Sequence, residues 1–293
     1  MVLAVVTCSD YPNLTGDDTP LVVSELRSQG VNTEVVVWDS QEVRWDRFSA
    51  AIVRSTWDYS QRRDEYLTWI DRISRQTQLW NPAQVLTWNT HKHYLRDLKA
   101  QGIPVLPTEW LLAGDCANLA DIMERWQWQK VVIKPAVSAN SRRTIVVTHD
   151  RLAEGQVHLE RYLPERDMMV QKYEPSIVDL GERSLIFIAG EFSHSVVKTP
   201  AAGDYRIQSS FGGQARPIVP TPEDLALAQA VLATVSQPLL YARVDVVGEG
   251  ETLAAIEVEL AEPSLYLEYV PELIPKAIAR MVTFLESEGV VLS

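Results

Sequence analysis

Residues Thr252–Ser264 read TLAAIEVELAEPS, in which Ile256, Val258 and Leu260 alternate with Glu257 and Glu259, and Glu262 follows. Period-two alternation describes a strand with one apolar and one acidic face. Neighbouring carboxylates on one face repel each other, and a cation between them removes that cost. In the preceding segment, YARVDVV, Arg243 and Asp245 share one face while Ala242, Val244 and Val246 share the other. If the two segments form a hairpin whose odd-length turn is centred near Gly250, Arg243 lies opposite Glu257. Arg243, Asp245, Glu257 and Glu259 then all point one way. Three carboxylates beside one guanidinium make an all-oxygen donor set that suits Mg2+ or Mn2+, ions that complete their shells with water and phosphate. The plainer alternative is a solvated outer face, but no lysine or threonine on this face relieves the repulsion.

Other segments end in cations. Lys134 closes the apolar run VVIK, and the small residues Ala136, Val137, Ser138, Ala139, Asn140 and Ser141 follow it. Such a loop lets backbone N–H groups approach an anion, with the ammonium beside them, as a phosphate grip does. The alternative is an edge-strand lysine in water. Lys198 precedes and Arg206 lies within the polar stretch PAAGDYRIQSSFGGQARP, the best candidate for a mobile loop. Lys92 sits at the start of a helical segment and is uninformative alone.

The elements that must position these groups fall into two styles. VLAVVTC, NTEVVVWD and FSAAIVRST read as strands, separated and followed by the helices TPLVVSELRSQG and SQRRDEYLTWIDRISRQ. Thr19 is the expected N-cap of the first helix, with Pro20 at its first position and Gly30 past its end. Such alternation predicts a parallel sheet with crossover helices, whose ligands gather at the C-terminal ends of the strands. Arg54, Ser55, Thr56, Asp58 and Tyr59 stand at such an end and are candidates for substrate binding; a loop packed by Trp57 explains them equally well. A helix capped by Asn89 or Thr90 is expected through about Ala100, with a domain boundary near residues 88–105. Beyond it the pattern is α+β: a helix near 118–127, strands QKVVIKPAV and RRTIVVT, a helix near 150–161, a strand DMMVQKYEPS, a hairpin turning at Ala189–Glu191, a helix capped by Thr221, the acidic hairpin, and a last helix over about 271–288.

Bulk properties narrow the function. The 293 residues carry a formal charge of -12, which argues against non-specific binding to nucleic acid or anionic membranes. Cys8 and Cys116 have no CxxC partner, so neither a disulfide framework nor a zinc site is expected. The apolar N-terminal run is short, lacks a basic flank and reads as a buried strand. No stretch approaches the ~20 apolar residues of a membrane span. A cytoplasmic protein acting on a small molecule is expected, and a homo-oligomer is left open.

Taken in order, HKHYLRDLKAQGIPVLPT, VVIKPAV, MVQKYEP, SLIFIAGEFSHSVVK, GDYRIQSSFGG and YARVDVV…AAIEVELAEPS resemble the ATP-grasp carboxylate–amine ligases over residues 88–293. RSTWDY, KPAVSA and EVELAEPSLYL resemble the D-cycloserine synthetase and glutathione synthetase-like types. The resemblance implies a parallel-sheet α/β domain (1–95), a first ATP-grasp lobe (96–170) and a second, α+β lobe with the metal-binding strands (171–293). It implies ATP as cosubstrate, with Lys92 and Lys134 on its phosphates, Gln171, Lys172 and Tyr173 at its adenine, and Glu174 or Asp179 at its ribose. Asp245 and Glu257 match the metal-binding acids, and Glu259 stands where many members have Asn. Arg243, Arg206 and Lys198 fall near the transferred phosphate or the substrate. One departure is plain: the loop after Lys134 has no glycine between Pro135 and Thr144.

The implied activity is transfer of the ATP γ-phosphate to a small amino-acid-like carboxylate, then attack by an amine. Positioning and charge neutralisation carry most of such a transfer, so no side-chain nucleophile is required. Phosphoryl transfer to a small hydroxyl substrate and a catalytically silent ATP-binding regulator are the alternatives.

Overall fold

The computed structural model describes residues 1–14, 17–201 and 212–292. It opens with β1 (Val2–Thr7), α1 (Thr19–Ser28), β2 (Thr33–Val37), β3 (Phe48–Val53), α2 (Arg63–Ile73) and β4 (Gln78–Trp80). These strands form a parallel sheet in the order β2-β1-β3-β4. β1 is almost wholly buried, as a central strand covered on both faces must be. β4 is only three residues long and has no alternating signature, which hides it in the sequence. Asp18, not Thr19, occupies the N-cap of α1, and its side chain does not cap. Its carboxylate instead accepts the Leu267 N–H at 3.1 Å and pairs with Arg54 at 2.8 Å.

Next come α3 (Ala83–Asn89), α4 (Tyr94–Ala100), β5 (Thr108–Leu111), α5 (Leu119–Trp126), β6 (Lys130–Pro135), β7 (Ile145–Thr148), α6 (Leu152–Tyr162) and β8 (Met168–Lys172). The helix expected from Asn89 or Thr90 to Ala100 begins only at Tyr94, and a separate helix, α3, precedes it and ends at Asn89. Neither residue N-caps α4, whose N-cap is His93: the Asn89 carboxamide faces a distant strand, and the Thr90 hydroxyl donates to the Thr87 carbonyl and accepts from Arg63. β5, β8, β6 and β7 make an antiparallel four-stranded sheet in that order.

The remainder holds α7 (Ser176–Asp179), β9 (Glu182–Ile188), β10 (Glu191–Thr199), β11 (Gln214–Ile218), α8 (Pro222–Ala233), β12 (Tyr241–Val247), β13 (Ala254–Glu259) and α9 (Ile274–Ser287). Its five strands form an antiparallel sheet ordered β11-β10-β9-β12-β13. β11 lies within the stretch read from sequence as irregular. The cap of α8 is as expected: Thr221 Oγ1 accepts the Asp224 N–H, and the Asp224 carboxylate accepts the Thr221 N–H.

The first and third sheets share a core. Leu3, Val5, Ala50 and Ile52 of the parallel sheet pack with Ile186 and Ile188 of β9 and with Ile278, Met281 and Leu285 of α9. Polar clamps add direction. Asn81, fully buried after β4, donates to the Tyr241 and Leu260 carbonyls and accepts the Leu240 N–H. Asn89 donates to the Val258 carbonyl and accepts the Leu260 and Ala261 N–H groups. β13 is a sheet edge, and Asn89 supplies hydrogen bonds that a further strand would have given.

Candidate active site

The acidic hairpin forms with a different register from the one expected. Asp245 stands opposite Glu257 and Arg243 opposite Glu259, because Val247 pairs with Ala254 across an even-length connection and a bulge after Asp245 shifts the pairing by one residue more. The shared face survives this correction. Carboxylate oxygens of Asp245, Glu257 and Glu259 lie within 4.8 Å of one another, close enough for one cation. Hard oxygen donors without histidine or thiolate fit Mg2+ better than a softer metal.

Each acid is held by a cation. Arg243 Nε lies 3.0 Å from Asp245 Oδ1, and Arg243 also pairs with Glu259. Lys198 Nζ lies 3.1 Å from Asp245 Oδ2 and 2.5 Å from Glu182 Oε1, while the Ser184 hydroxyl donates to Asp245 at 2.6 Å. Lys92 Nζ lies 2.8 Å from Glu257 Oε1. Burial alone would raise Asp245, but Arg243 and Lys198 hold it well below the usual carboxylate range. Glu257 is likewise lowered against burial by Lys92 and Lys134. Burial lowers Lys134, and Glu257 only partly opposes that shift. Burial pushes Glu259 up to about 7 despite Arg243.

These groups line a cavity of about 820 Å3. Lys92, Lys134, Gln171, Lys172, Tyr173, Glu174, Lys198, Arg243, Glu257 and Glu259 border it. Asp245 lies just beneath, almost wholly buried. The Lys172 and Tyr173 N–H groups bond the Pro107 and Lys130 carbonyls. A purine edge at this hinge must therefore meet carbonyls, or exchange one of those bonds. Glu174 borders the cavity and accepts the Ser176 N–H; Asp179 is exposed on α7 and does not border it. Arg206 lies outside the described residues.

The Gly-poor loop after Lys134 solves its geometry another way. Asn140, Ser141 and Arg143 take the left-handed conformation, at φ 54°, 53° and 58°. Glycine would adopt it without steric cost. The Lys92 N–H bonds the Ala136 carbonyl and Lys92 Nζ the Ser138 carbonyl, so the loop is tied to the turn before α4.

Of the residues expected at the substrate, the structure brings Tyr59 to the cavity, with Trp57 beside it, but not Arg54, Ser55, Thr56 or Asp58. Arg54 is buried against Asp18 and stacks near the Tyr241 ring. Ser55 bonds Thr19, Thr56 bonds Tyr66, and Asp58 accepts from Trp38 Nε1 and Arg62. Most of their polar atoms are spent on packing the parallel sheet; Arg54 Nη1 is buried without a hydrogen-bond partner among the described residues. Asp17, Glu182, Glu262, Tyr266 and Glu268 reach the cavity instead and were not expected there. Strand register pairs Glu182 with Lys198, and a bulge near Phe192 hides that pairing from a simple count along the hairpin. Glu262 is buried, and burial with the charge of Glu259 pushes it up to about 8.

Two other features stand apart. His91, His93 and Asp167 cluster outside the lining, with His91 Nε2 3.2 Å from Asp167 while His91 Nδ1 accepts the His93 N–H. That tautomer is satisfied without a metal. A second cavity, of about 370 Å3, lies beside α8 and α9; its lining holds no charged side chain.

Family models match both parts of the chain: the N-terminal domain of D-cycloserine synthetase over residues 3–81, and the prokaryotic glutathione synthetase ATP-grasp domain over residues 97–266. The cycloserine biosynthesis protein DcsG of Streptomyces lavendulae is 31% identical over 283 residues, covering 92% of this chain and 93% of that protein. The chain belongs to the ATP-grasp family. A crystal structure of D-cycloserine synthetase DcsG superposes with a TM-score of 0.86 at 27% identity, covering 97% of this chain and all of the other. D-alanine–D-alanine ligase from Bacillus anthracis, solved with ATP, shares the fold at a TM-score of 0.67 and 14% identity, over 98% and 99% of the two chains. As an ATP-grasp protein of this type, the chain is an ATP-dependent carboxylate–amine ligase that forms C–N bonds. Its substrates are small molecules, and none of its described helices is long and apolar enough to cross a membrane.

Proposed function

We propose that the chain activates the carboxylate of a small amino acid as an acyl phosphate and closes it onto a nitrogen of the same molecule. The observation that carries this reading is the meeting, at one cavity, of the Asp245–Glu257–Glu259 wall with Lys92, Lys134 and the N-terminal residues Trp57 and Tyr59. The likeness to proteins named for D-cycloserine supports ring closure over joining of two molecules. Opening the ring amide of D-cycloserine gives β-aminooxy-D-alanine, a compound that carries both reacting groups.

In this reading Lys92 and Lys134 grip the ATP phosphates, and Gln171–Tyr173 and Glu174 border the adenosine. Asp245, Glu257 and Glu259 would hold Mg2+, which when bound offsets phosphate charge. Arg243 and Lys198 orient the acids and face the transferred phosphoryl group, with Arg206 assigned beside them by sequence alone. Tyr59 faces the substrate; Arg54, Ser55, Thr56 and Asp58 support its strand end from behind. The chain divides at about residues 95 and 170, with ATP between the second and third parts. An ATP-consuming enzyme with two free cysteines suits the cytoplasm.

The test is ADP release across a panel of small D- and L-amino acids and β-aminooxy-D-alanine, with and without Mg2+. Release that needs both a carboxylate substrate and the metal, and that is lost in Glu257→Gln, supports the reading. Release that no amino acid stimulates overturns it.

A further inference from the structure

Glu262 has a place in the cavity that the roles above do not use. It is 6% exposed and lies just beyond the acidic strand, between Glu259 and the Trp57–Tyr59 segment. Its backbone is fixed from two sides: its carbonyl accepts Trp57 Nε1 at 3.2 Å, and Asn89 holds the preceding Leu260 and Ala261 N–H groups. The Tyr59 side chain borders the cavity beside it and favours its charged form. Among the described residues it has no ion-pair partner within 4.0 Å, although Lys92 acts on it from farther off.

The other buried acids around the cavity are engaged elsewhere: Glu174, at the far end beside the hinge strand, accepts the Ser176 N–H, and the rest pair with cations. Glu257 is paired with Lys92, Glu259 with Arg243, and Glu182 and Asp245 with Lys198. Among the described residues no histidine borders the cavity, and Lys92, Lys198 and Arg243 are paired with carboxylates. Ligation nevertheless requires a proton acceptor, because an amine nitrogen that forms an amide must shed a proton. A buried carboxylate that forms no ion pair among the described residues, on the side of the cavity nearest the N-terminal domain, meets that need.

We propose that Glu262 is the catalytic residue that takes the proton from the attacking nitrogen in the second half-reaction. The nitrogen lone pair forms the C–N bond. The bond from the acyl carbon to the phosphoryl oxygen breaks, and inorganic phosphate leaves with that electron pair. The N–H proton passes to a Glu262 oxygen and then to water. Tyr59 favours the charged form of this carboxylate, and the first half-reaction, phosphoryl transfer, does not involve it. This assignment rests on the ligase reading above.

The experiment separates the two halves. Positional isotope exchange in 18O-labelled ATP, with D-serine as a carboxylate that lacks the closing nitrogen, reports the first half. Conversion of β-aminooxy-D-alanine to D-cycloserine reports both. Glu262→Gln is expected to keep exchange within about 3-fold of wild type and to lose product formation by about 10²- to 10⁴-fold. Glu262→Asp is expected to recover part of that loss, and unchanged ADP binding in both variants shows that the site is folded. Equal losses in exchange and product formation would place Glu262 with the metal and overturn the proposal, as would product formation that does not change. Wild-type protein that shows neither exchange nor product with these probes overturns the cyclising ligase reading itself, and the Glu262 assignment falls with it.

Discussion

Lys92 Nζ lies 2.8 Å from Glu257 Oε1 and 3.2 Å from the Ser138 carbonyl, so a single ammonium joins the acidic strand to the loop after Lys134. Both contacts use charge that a bound triphosphate would claim. Lys92→Met should raise the ATP KM by at least about 10-fold. It should also cost about 1–3 kcal/mol of stability, less than a fully buried pair because Glu257 is partly exposed. In the double variant with Glu257→Gln much of that cost should return, and a double-mutant cycle by thermal unfolding reads the coupling. Stabilities that simply add would contradict the pairing.

The acids on β12 and β13 are not equivalent. Asp245 and Glu257 face each other across the strands, while Glu259 is taken by Arg243. Glu259→Asn should lose about 10-fold in kcat, because Arg243 keeps Asp245 as a partner. Glu257→Gln should lose about 10³-fold or more and show a raised Mg2+ requirement. Mg2+ titrations of both variants check the ranking.

The loop without glycine carries its own prediction. Ser141 sits at φ 53°. Ser141→Gly removes a steric penalty of about 1 kcal/mol and adds unfolded-chain entropy of similar size, so stability should stay within about 1 kcal/mol. Ser141→Val should cost about 1–2 kcal/mol or more and raise the ATP KM. Thermal unfolding and ATP titration measure both effects.

His91 is held neutral: burial, then His93 and Arg63, push it from 6.5 down to about 4. The unfolded chain binds this proton more readily than the folded one between those values. Stability contributed by neutral His91 is therefore present above about pH 6.5 and is lost as pH falls toward 4. Between pH 7 and 5 the loss should be about 1–2 kcal/mol, and His91→Gln should flatten the pH dependence by that amount. Denaturant unfolding at both pH values reads it; an unaltered slope would contradict the assignment.

Much of the site was legible because alternation along a strand reports which side chains share a face. Alternation puts Glu257 and Glu259 on one face of their strand, and Asp245 with Arg243 on one face of theirs, whatever the pairing. Register was not legible, since bulges after Asp245 and near Phe192 insert a residue with no compositional mark. The same limit hid Glu182 opposite Lys198. Arg54, Ser55, Thr56 and Asp58 sit at a strand end, where ligands bind in open α/β sheets. Nothing local in the sequence shows that Asp18, Thr19, Trp38, Arg62 and Tyr66 already consume their hydrogen bonds. Asn89 does not cap a helix for a related reason: its partners are on and just beyond β13, about 170 residues away in the chain.

The central claim is that a substrate carboxylate is phosphorylated. The direct measurement is hydroxylamine trapping during turnover of small amino acids with ATP and Mg2+, with the amino-acid hydroxamate identified by mass. Hydroxamate formed in step with ADP, and absent in Glu257→Gln, is the predicted result. ADP formed without hydroxamate, together with a stable phosphate ester on the substrate hydroxyl, would contradict it.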